Sequence, residues 1–471
     1  MDSEKQKRRQ SLRIIVSEVI MVLAVIVTVT VLAFIVSGYW INSDFEVQRQ
    51  GMLQISSTPT GAEVAIDGDS SWLQRTNTSK VLPSGEHTIT VSREGYDSWT
   101  KTIDIKEGLL YRIHYPRLFL QERDREKILS TTGSVKAVVS SNHNSMLITN
   151  NTNKWTYLNL NSEKLEKQTL DISKYFSNVT LTSDSSSGIF KGEILEADWD
   201  YDASHVLIKT KQDSKVEWVL IDVHHIDKSI NLTKEFDADF SEVKILDNSS
   251  STLLGIRNGN LHKIDIPGRL ISAVLVENVI YFDHYNNEVV FTAQKSSGED
   301  SAKKYYIGYL KVGDSKITEL ETIESPCMVL ISKFYDQKYI SVVDSNQIIT
   351  HLKDDYDEIK KHDLPFNPIK AKVGHDGEYI FMNSGNHIAV LDMEADLVKE
   401  WNTENENFGW IDNDMLYAVN EGELIVYDFD GYNRRVIAKN VSSHFPVSIT
   451  DNKWLYYFSD DQLIREWLIE H

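Results

Sequence analysis

HDGEYIFMNSGNHIAVLDM, residues 375–393, decides how most of this chain is read. A polar turn opens it. Tyr379-Ile380-Phe381-Met382 follows as an apolar run, a second turn intervenes, and a second run ends on the polar Asp392. Each run is too short for a helix and is bounded by Gly, Asn and Asp, the residues that favour turns. The stretch DNDMLYAVNEGELIVYDFDG, residues 412–431, repeats the plan, with Leu424 to Tyr427 ending on Asp428.

Working outward, the same unit recurs along residues 117–471. Its runs begin at Met146, Val206, Leu253, Val289, Tyr339, Tyr379, Met415 and Trp454. The spacing averages about 44 residues, the size of a four-stranded blade. The expectation is an all-β chain whose larger domain, 117–471, is a β-propeller of seven or eight blades, eight being the better fit. Closure into a ring removes the open sheet edges that would otherwise pair with other chains. The longest step, between Met146 and Val206, leaves room for an insertion around the Ser-rich 182–188. The last unit holds only about three strands, so a strand near 111–119 or 134–140 is expected to complete its sheet and lock the preceding module to the ring. Only 121–129 (QERDREKIL) has helical periodicity. The paired runs at 379–392 and 416–428 resemble TolB-like irregular propellers.

Upstream, residues 51–116 alternate apolar and polar positions between tight turns. That is the pattern of a small antiparallel β-sandwich, half buried and half wet. Three spaced elements carry a family resemblance: Thr58-Pro59-Thr60-Gly61-Ala62-Glu63-Val64-Ala65-Ile66-Asp67-Gly68, then Leu82-Pro83-Ser84-Gly85-Glu86-His87, then Arg93-Glu94-Gly95-Tyr96. Over 52–115 the chain resembles the PEGA domain, with Thr60 where that family usually has Glu. The resemblance implies an extracytoplasmic β module of envelope and surface proteins, acting as a spacer or adhesion unit rather than a catalyst.

Between Val19 and Val36 every residue is apolar except Thr28 and Thr30. About 20 such residues cross a hydrocarbon core of roughly 30 Å. A transmembrane helix is therefore expected over 14–37, between a cytoplasmic tail, 1–13, and a linker, 38–50. A cleaved signal peptide is the rival, but the apolar run is long and ends in bulky Tyr39 and Trp40 rather than small residues. Lys5, Lys7, Arg8, Arg9 and Arg13 keep the N-terminus inside and place the body outside the cytoplasmic membrane.

The net charge is −21 although this tail is basic, so the acidity belongs to the body. An acidic body repels polyanions, and nucleic acid is not expected as a partner. The one cysteine, Cys327, excludes an intrachain disulfide and reads as a small buried hydrophobe leading into a strand.

Candidate chemistry is sparse. Asp198-Trp-Asp-Tyr-Asp202 spaces carboxylates as a calcium loop does, but the loop's glycine and twelfth-position Glu are missing, and Asp202 falls at a hairpin turn. His224 and His225 end the run WVLIDVHH, where neighbours point to opposite faces and do not share a metal. Ser301 and Lys304 form S-x-x-K without the companion S-D-N and K-T-G motifs. No catalytic, cofactor-binding or metal-binding residue is assigned, and no cofactor is expected. Aromatic residues are read as packing between blades, some of them available as a glycan or peptide platform. The expected function is a membrane-anchored, single-pass binding or scaffold protein of the bacterial envelope, not an enzyme. Its partner would be an envelope or surface protein or a wall glycan. The alternatives are a hydrolase or lyase with carboxylates in the propeller channel, and a purely structural surface component.

Overall fold

Strands dominate a computed structural model that describes residues 18–33, 39–41, 47–181, 188–246, 249–295, 304–314, 316–374, 376–402 and 408–470. Residues 18–33 form a helix whose Thr28 and Thr30 hydroxyls each donate to the carbonyl four residues back, at 2.8 Å. No helix among the described residues is long and apolar enough to cross a membrane. Residues 14–17 and 34–37 of the expected span, and the tail 1–13, lie outside the described residues. The chain divides into two compact units, Met1–Glu122 and Arg123–His471.

The first unit holds two four-stranded sheets. One runs in the order Asp69–Arg75, Glu63–Ile66, Gly85–Ser92, Trp99–Ile105. In the other, Val47–Ile55 pairs with Tyr39–Ile41, Thr78–Pro83 and Leu110–Ile113. Alternation along each strand buries Leu53, Ile55, Val64, Ile89, Val91, Trp99 and Ile105. The sandwich is not wholly antiparallel as expected, because Val47–Ile55 and Leu110–Ile113 run parallel. The returning chain has crossed the other sheet first, so it re-enters in the same direction. Gly51 is required at this junction: an added Cβ would lie 2.6 Å from both the Ile105 Cγ2 and the Lys106 carbonyl oxygen.

The family-like motifs have a physical basis. Asp67 takes a left-handed φ of 54° ahead of Gly68. Its carboxylate then meets His87 Nδ1 at 2.6 Å and accepts from the Thr88 amide at 2.8 Å. His87 Nε2 lies 2.9 Å from the Pro83 carbonyl. One carboxylate and one imidazole thus tie the Asp-Gly turn to the Leu82–His87 turn.

The second unit holds eight four-stranded antiparallel sheets and one two-stranded hairpin among its described residues. Each residue that begins a sequence unit lies in the second strand of its own sheet, from Met146 in Ser145–Asn150 to Trp454 in Trp454–Ser459. Shared apolar clusters run between neighbouring sheets, and the eighth meets the first: Met146, Leu158 and Leu160 pack with Trp454, Tyr456 and Phe458. The Tyr456 hydroxyl donates to the Leu160 carbonyl at 2.8 Å. The sheets therefore form a propeller-like ring. Its first strands, such as Val279–Tyr285, Met328–Phe334 and Lys370–Val373, touch one another and so surround the axis.

Two expectations are corrected here. The strand completing the last sheet is Arg125–Ser130, paired with Gln462–Trp467. Leu110–Ile113 belongs to the sandwich, and Ser134–Val139 opens the first sheet. The stretch 121–129 is therefore not helical. Its residues from Arg125 on form an outermost strand paired with Gln462–Trp467, mostly exposed, with only Ile128 and Leu129 half-buried against the cluster between the last and first sheets. The insertion between the first two sheets contains a hairpin of Val179–Leu181 with Gly188–Phe190, and residues 182–187 lie outside the described residues.

Candidate functional site

Each sheet of the ring has the turn between its first and second strands, and the turn after its third, at one edge. On the second sheet this edge gathers Asp200, Asp202, Ser204, His205 and Asp222. Asp200 accepts from the Ser204 and His205 amides at 2.9 and 2.8 Å and meets His205 Nδ1 at 2.8 Å. His205 Nε2 lies 3.6 Å from Asp222. Burial opposes charge on the imidazole, but Asp200, Asp222 and Asp202 outweigh it and raise its pKa.

Asp200, Asp202 and His205 bring ligand atoms within 4.8 Å of one another, close enough for a metal ion. The chemistry argues against one. A metal needs the neutral imidazole, whereas carboxylates beside both ring nitrogens favour the protonated form. The cluster caps a hairpin turn, the place the sequence assigned to Asp202. Asp198 does not join it: it lies within the inner strand Glu193–Trp199, where its charge helps raise the pKa of Lys244. His205 and Asp222 were missed by sequence reasoning, because neither sits in a recognisable ligand spacing.

His224 and His225 are not in a strand, as the sequence reading had them. The third strand ends at Asp222, and the Asp222 carboxylate accepts from the His224 and His225 amides at 3.0 and 2.7 Å. The His224 ring packs edge-on against Tyr157 of the first sheet. Asp392 plays the same part on the sixth sheet, accepting from the Glu394 and Ala395 amides at 2.9 and 2.8 Å. The polar residue that closes the second run of these units is thus a cap for the turn that follows.

Burial, with Glu378 and Glu394 adding to it, pushes the Asp392 pKa up to about 6. Glu378 is also buried, and beside it the phenol of Tyr379 is held far above its ordinary range by burial and the nearby carboxylates. Tyr379 stacks on Phe429 with ring centroids 4.4 Å apart.

The channel is lined differently. Lys244, from the third sheet, donates to the Phe282 carbonyl at 2.8 Å and lies 3.4 Å from Asp283 and 3.7 Å from Glu242. Lys209 lies 3.6 Å from Glu196. Glu196, Lys209, Glu242, Lys244 and Asp283 therefore form a ladder of alternating charge across the second to fourth sheets. Burial raises the pKa of Glu242, while for Lys244 burial is outweighed by Asp283 and Glu242, which keep it charged. Lys136 has a lowered pKa, chiefly from burial, and Lys370 contributes although it is on the sixth sheet. Two lysines three sheets apart on the ring are thus close enough to interact.

Cys327 is buried, with its sulfur 3.7 Å from the Thr292 hydroxyl, and burial pushes its thiol up to about 11. Ser301 lies outside the described residues, while the Lys304 carbonyl accepts from the Lys295 amide at 2.8 Å. Aromatic rings join the sixth and seventh sheets, where Tyr379 and Phe381 face Trp410. In the first unit a cavity of about 230 Å³ is lined by Leu53, Ile55, Val64, Ile66 and Thr78–Lys80.

Residues 50–117 match the PEGA domain family. No curated protein matches the chain. Among solved structures, Kluyveromyces lactis Hsv2 is similar at 10% identity and a TM-score of 0.42, over 65% of this chain and 98% of that one. A computationally designed protein, Ika8, is similar at 11% identity and 0.42, over 73% and 98%. The Dos1 propeller is similar at 10% identity and 0.42, over 73% and 94%.

Proposed function

We propose that this chain is a membrane-anchored binding or scaffold protein of the bacterial envelope. In this reading a PEGA-domain stalk carries an eight-bladed, TolB-like propeller that engages an envelope protein or a wall glycan. The observation that carries it is the order of modules: an apolar segment, a PEGA domain at 50–117, then a ring of eight four-stranded sheets. The apolar run Val19–Val36 and the basic residues before it support a single-pass anchor with the body outside. The acidity of the body argues against nucleic acid as the ligand.

The channel supports binding over catalysis. Its carboxylates Glu196, Glu242 and Asp283 each lie beside a lysine, which suits a rigid lining better than proton transfer. One observation favours the alternative hydrolase or lyase: Glu378 and Asp392 are buried neighbours, and burial pushes Asp392 up to about 6, a value that suits a general acid or base. Asp392 is nonetheless committed to its turn by two backbone amides.

The test is co-sedimentation of purified 41–471 with wall glycan, and capture of solubilised envelope proteins, with calcium present and absent. Saturable binding to one fraction supports the proposal. Absence of any saturable partner, together with glycan cleavage that Asp392→Asn abolishes, supports the enzyme. Protease added to intact cells, with the wall removed where needed, must reach the body if the topology holds.

A further inference from the structure

The sandwich has an outer face whose polarity changes along its length. Backbone pairing sets Met52 between Val81 and Leu110 in one row, and Gln54 between Ser79 and Arg112 in the next. Both rows face away from buried Leu53 and Ile55, since alternate residues of a strand point to opposite sides. Met52, Val81 and Leu110 are 43%, 50% and 47% exposed, and Leu109 beside them is 51% exposed. Single exposed apolar residues need no explanation, but a contiguous group across three strands does.

The apolar row is the one nearer the start of Val47–Ile55. At that end Gln50 pairs with Pro83, and its carbonyl accepts from the Gly108 amide. The chain reaches Val47 from the apolar segment ending at Val36 through ten residues, of which Tyr39–Ile41 pair back along Val47–Arg49, so that the start of the strand lies at most roughly 35 Å from that segment. The polar row, with Arg112, lies farther along.

We propose that this face docks on the lipid surface. Met52, Val81, Leu109 and Leu110 enter the boundary between headgroups and acyl chains, while Gln54, Ser79 and Arg112 remain in the aqueous headgroup layer. The inference rests on the anchored reading of the N-terminal segment. Charge does not drive the contact: Lys106 and Glu107 offset each other at the adjoining turn, and the body is acidic. Apolar burial is the driving force, and the anchor's short tether raises the local concentration of the face at the membrane.

The test uses the full chain in phosphatidylcholine vesicles, with Val81→Cys carrying an environment-sensitive fluorophore and Thr102→Cys, on an exposed position of the other sheet, as control. The only native cysteine, Cys327, is buried and does not compete for the label. Nitroxide-bearing lipid is expected to quench the label at 81 several-fold more than the label at 102, and aqueous iodide the reverse. Adding Met52→Gln and Leu110→Gln to the Val81→Cys chain should return it to the control level without lowering its melting temperature. A chain that floats with vesicles but shows the same quenching at 81 and 102 overturns the docking and leaves the anchor intact. A chain that does not float overturns the anchor, and the docking with it.

Discussion

Arg465 and Glu126 face each other in neighbouring strands, and Arg465 Nη2 lies 2.6 Å from the Glu126 carboxylate. The two are 339 positions apart in sequence. Arg465 also donates to the Ser162 and Glu163 carbonyls of the first sheet, and its guanidinium lies over the rings of Trp454 and Trp467. One buried side chain thus joins the completing strand, the last sheet and the first.

Arg465→Met is expected to destabilise 123–471 by about 2–3 kcal/mol, because it removes charge-assisted bonds to Glu126 and to the Ser162 and Glu163 carbonyls from a buried side chain. Glu126 is half exposed, so Glu126→Gln should cost less than about 1 kcal/mol. Urea denaturation of both variants checks the order. A fragment beginning at 131 lacks the completing strand and should aggregate, where one beginning at 123 stays monomeric by gel filtration. Equal behaviour of the two fragments would contradict the role of Arg125–Ser130.

That strand also shows where sequence reading stops. Second and third strands such as Met415–Asn420 and Glu423–Asp428 are buried on both faces and read as short apolar runs. Outer strands such as Arg125–Ser130 and Glu358–Asp363 are exposed and charged, so no period marks them. Their identity lies in backbone pairing with a distant partner. The polar clusters were hidden for a similar reason. Asp200 and Asp222 meet at His205 only because the turns flanking two neighbouring strands share an edge. The Asp67–His87 contact was also out of reach, although both residues belong to motifs that were legible.

The Asp67–His87 pair gives the sandwich a pH window. Burial lowers the His87 pKa, but Asp67 and the Pro83 carbonyl raise it more. Asp67 is lowered, chiefly by His87. The histidine's contribution is full below about pH 6.5 and is lost as pH rises through its higher folded value. The aspartate's is full above about pH 4 and is lost on acidification. His87→Ala should therefore lower the melting temperature most between these limits and least at pH 9. Circular dichroism melts of 47–122 across pH 3–9 measure this. A loss that is constant with pH would mean the histidine acts by packing alone.

Cys327 should be inert in the native chain. Its thiol is buried and raised to about 11, so little thiolate is present at pH 8. A disulfide reagent should titrate no thiol in the folded protein and one per chain in denaturant. Rapid reaction at pH 7 without unfolding would show that the segment before Met328–Phe334 opens.

Asp392 should make the ring less stable as pH rises. Its unfolded value is near 3.8 and its folded value about 6, so the folded chain binds more protons between these limits. Stability contributed by this group is full below about pH 4 and is lost as pH climbs through 6. A shift of this size corresponds to on the order of 2–3 kcal/mol. Asn at this position keeps the oxygen that accepts from the Glu394 and Ala395 amides but cannot ionise. Asp392→Asn should match the parent near pH 4 and exceed it at pH 7.5. Because His205 and the carboxylates remote from position 392 are the same in both chains, the difference between their denaturation curves isolates Asp392 together with its coupling to Glu378 and Glu394. Two curves that run parallel from pH 4 to 8 would mean that Asp392 ionises normally, removing the one electrostatic feature that favours the enzymatic reading.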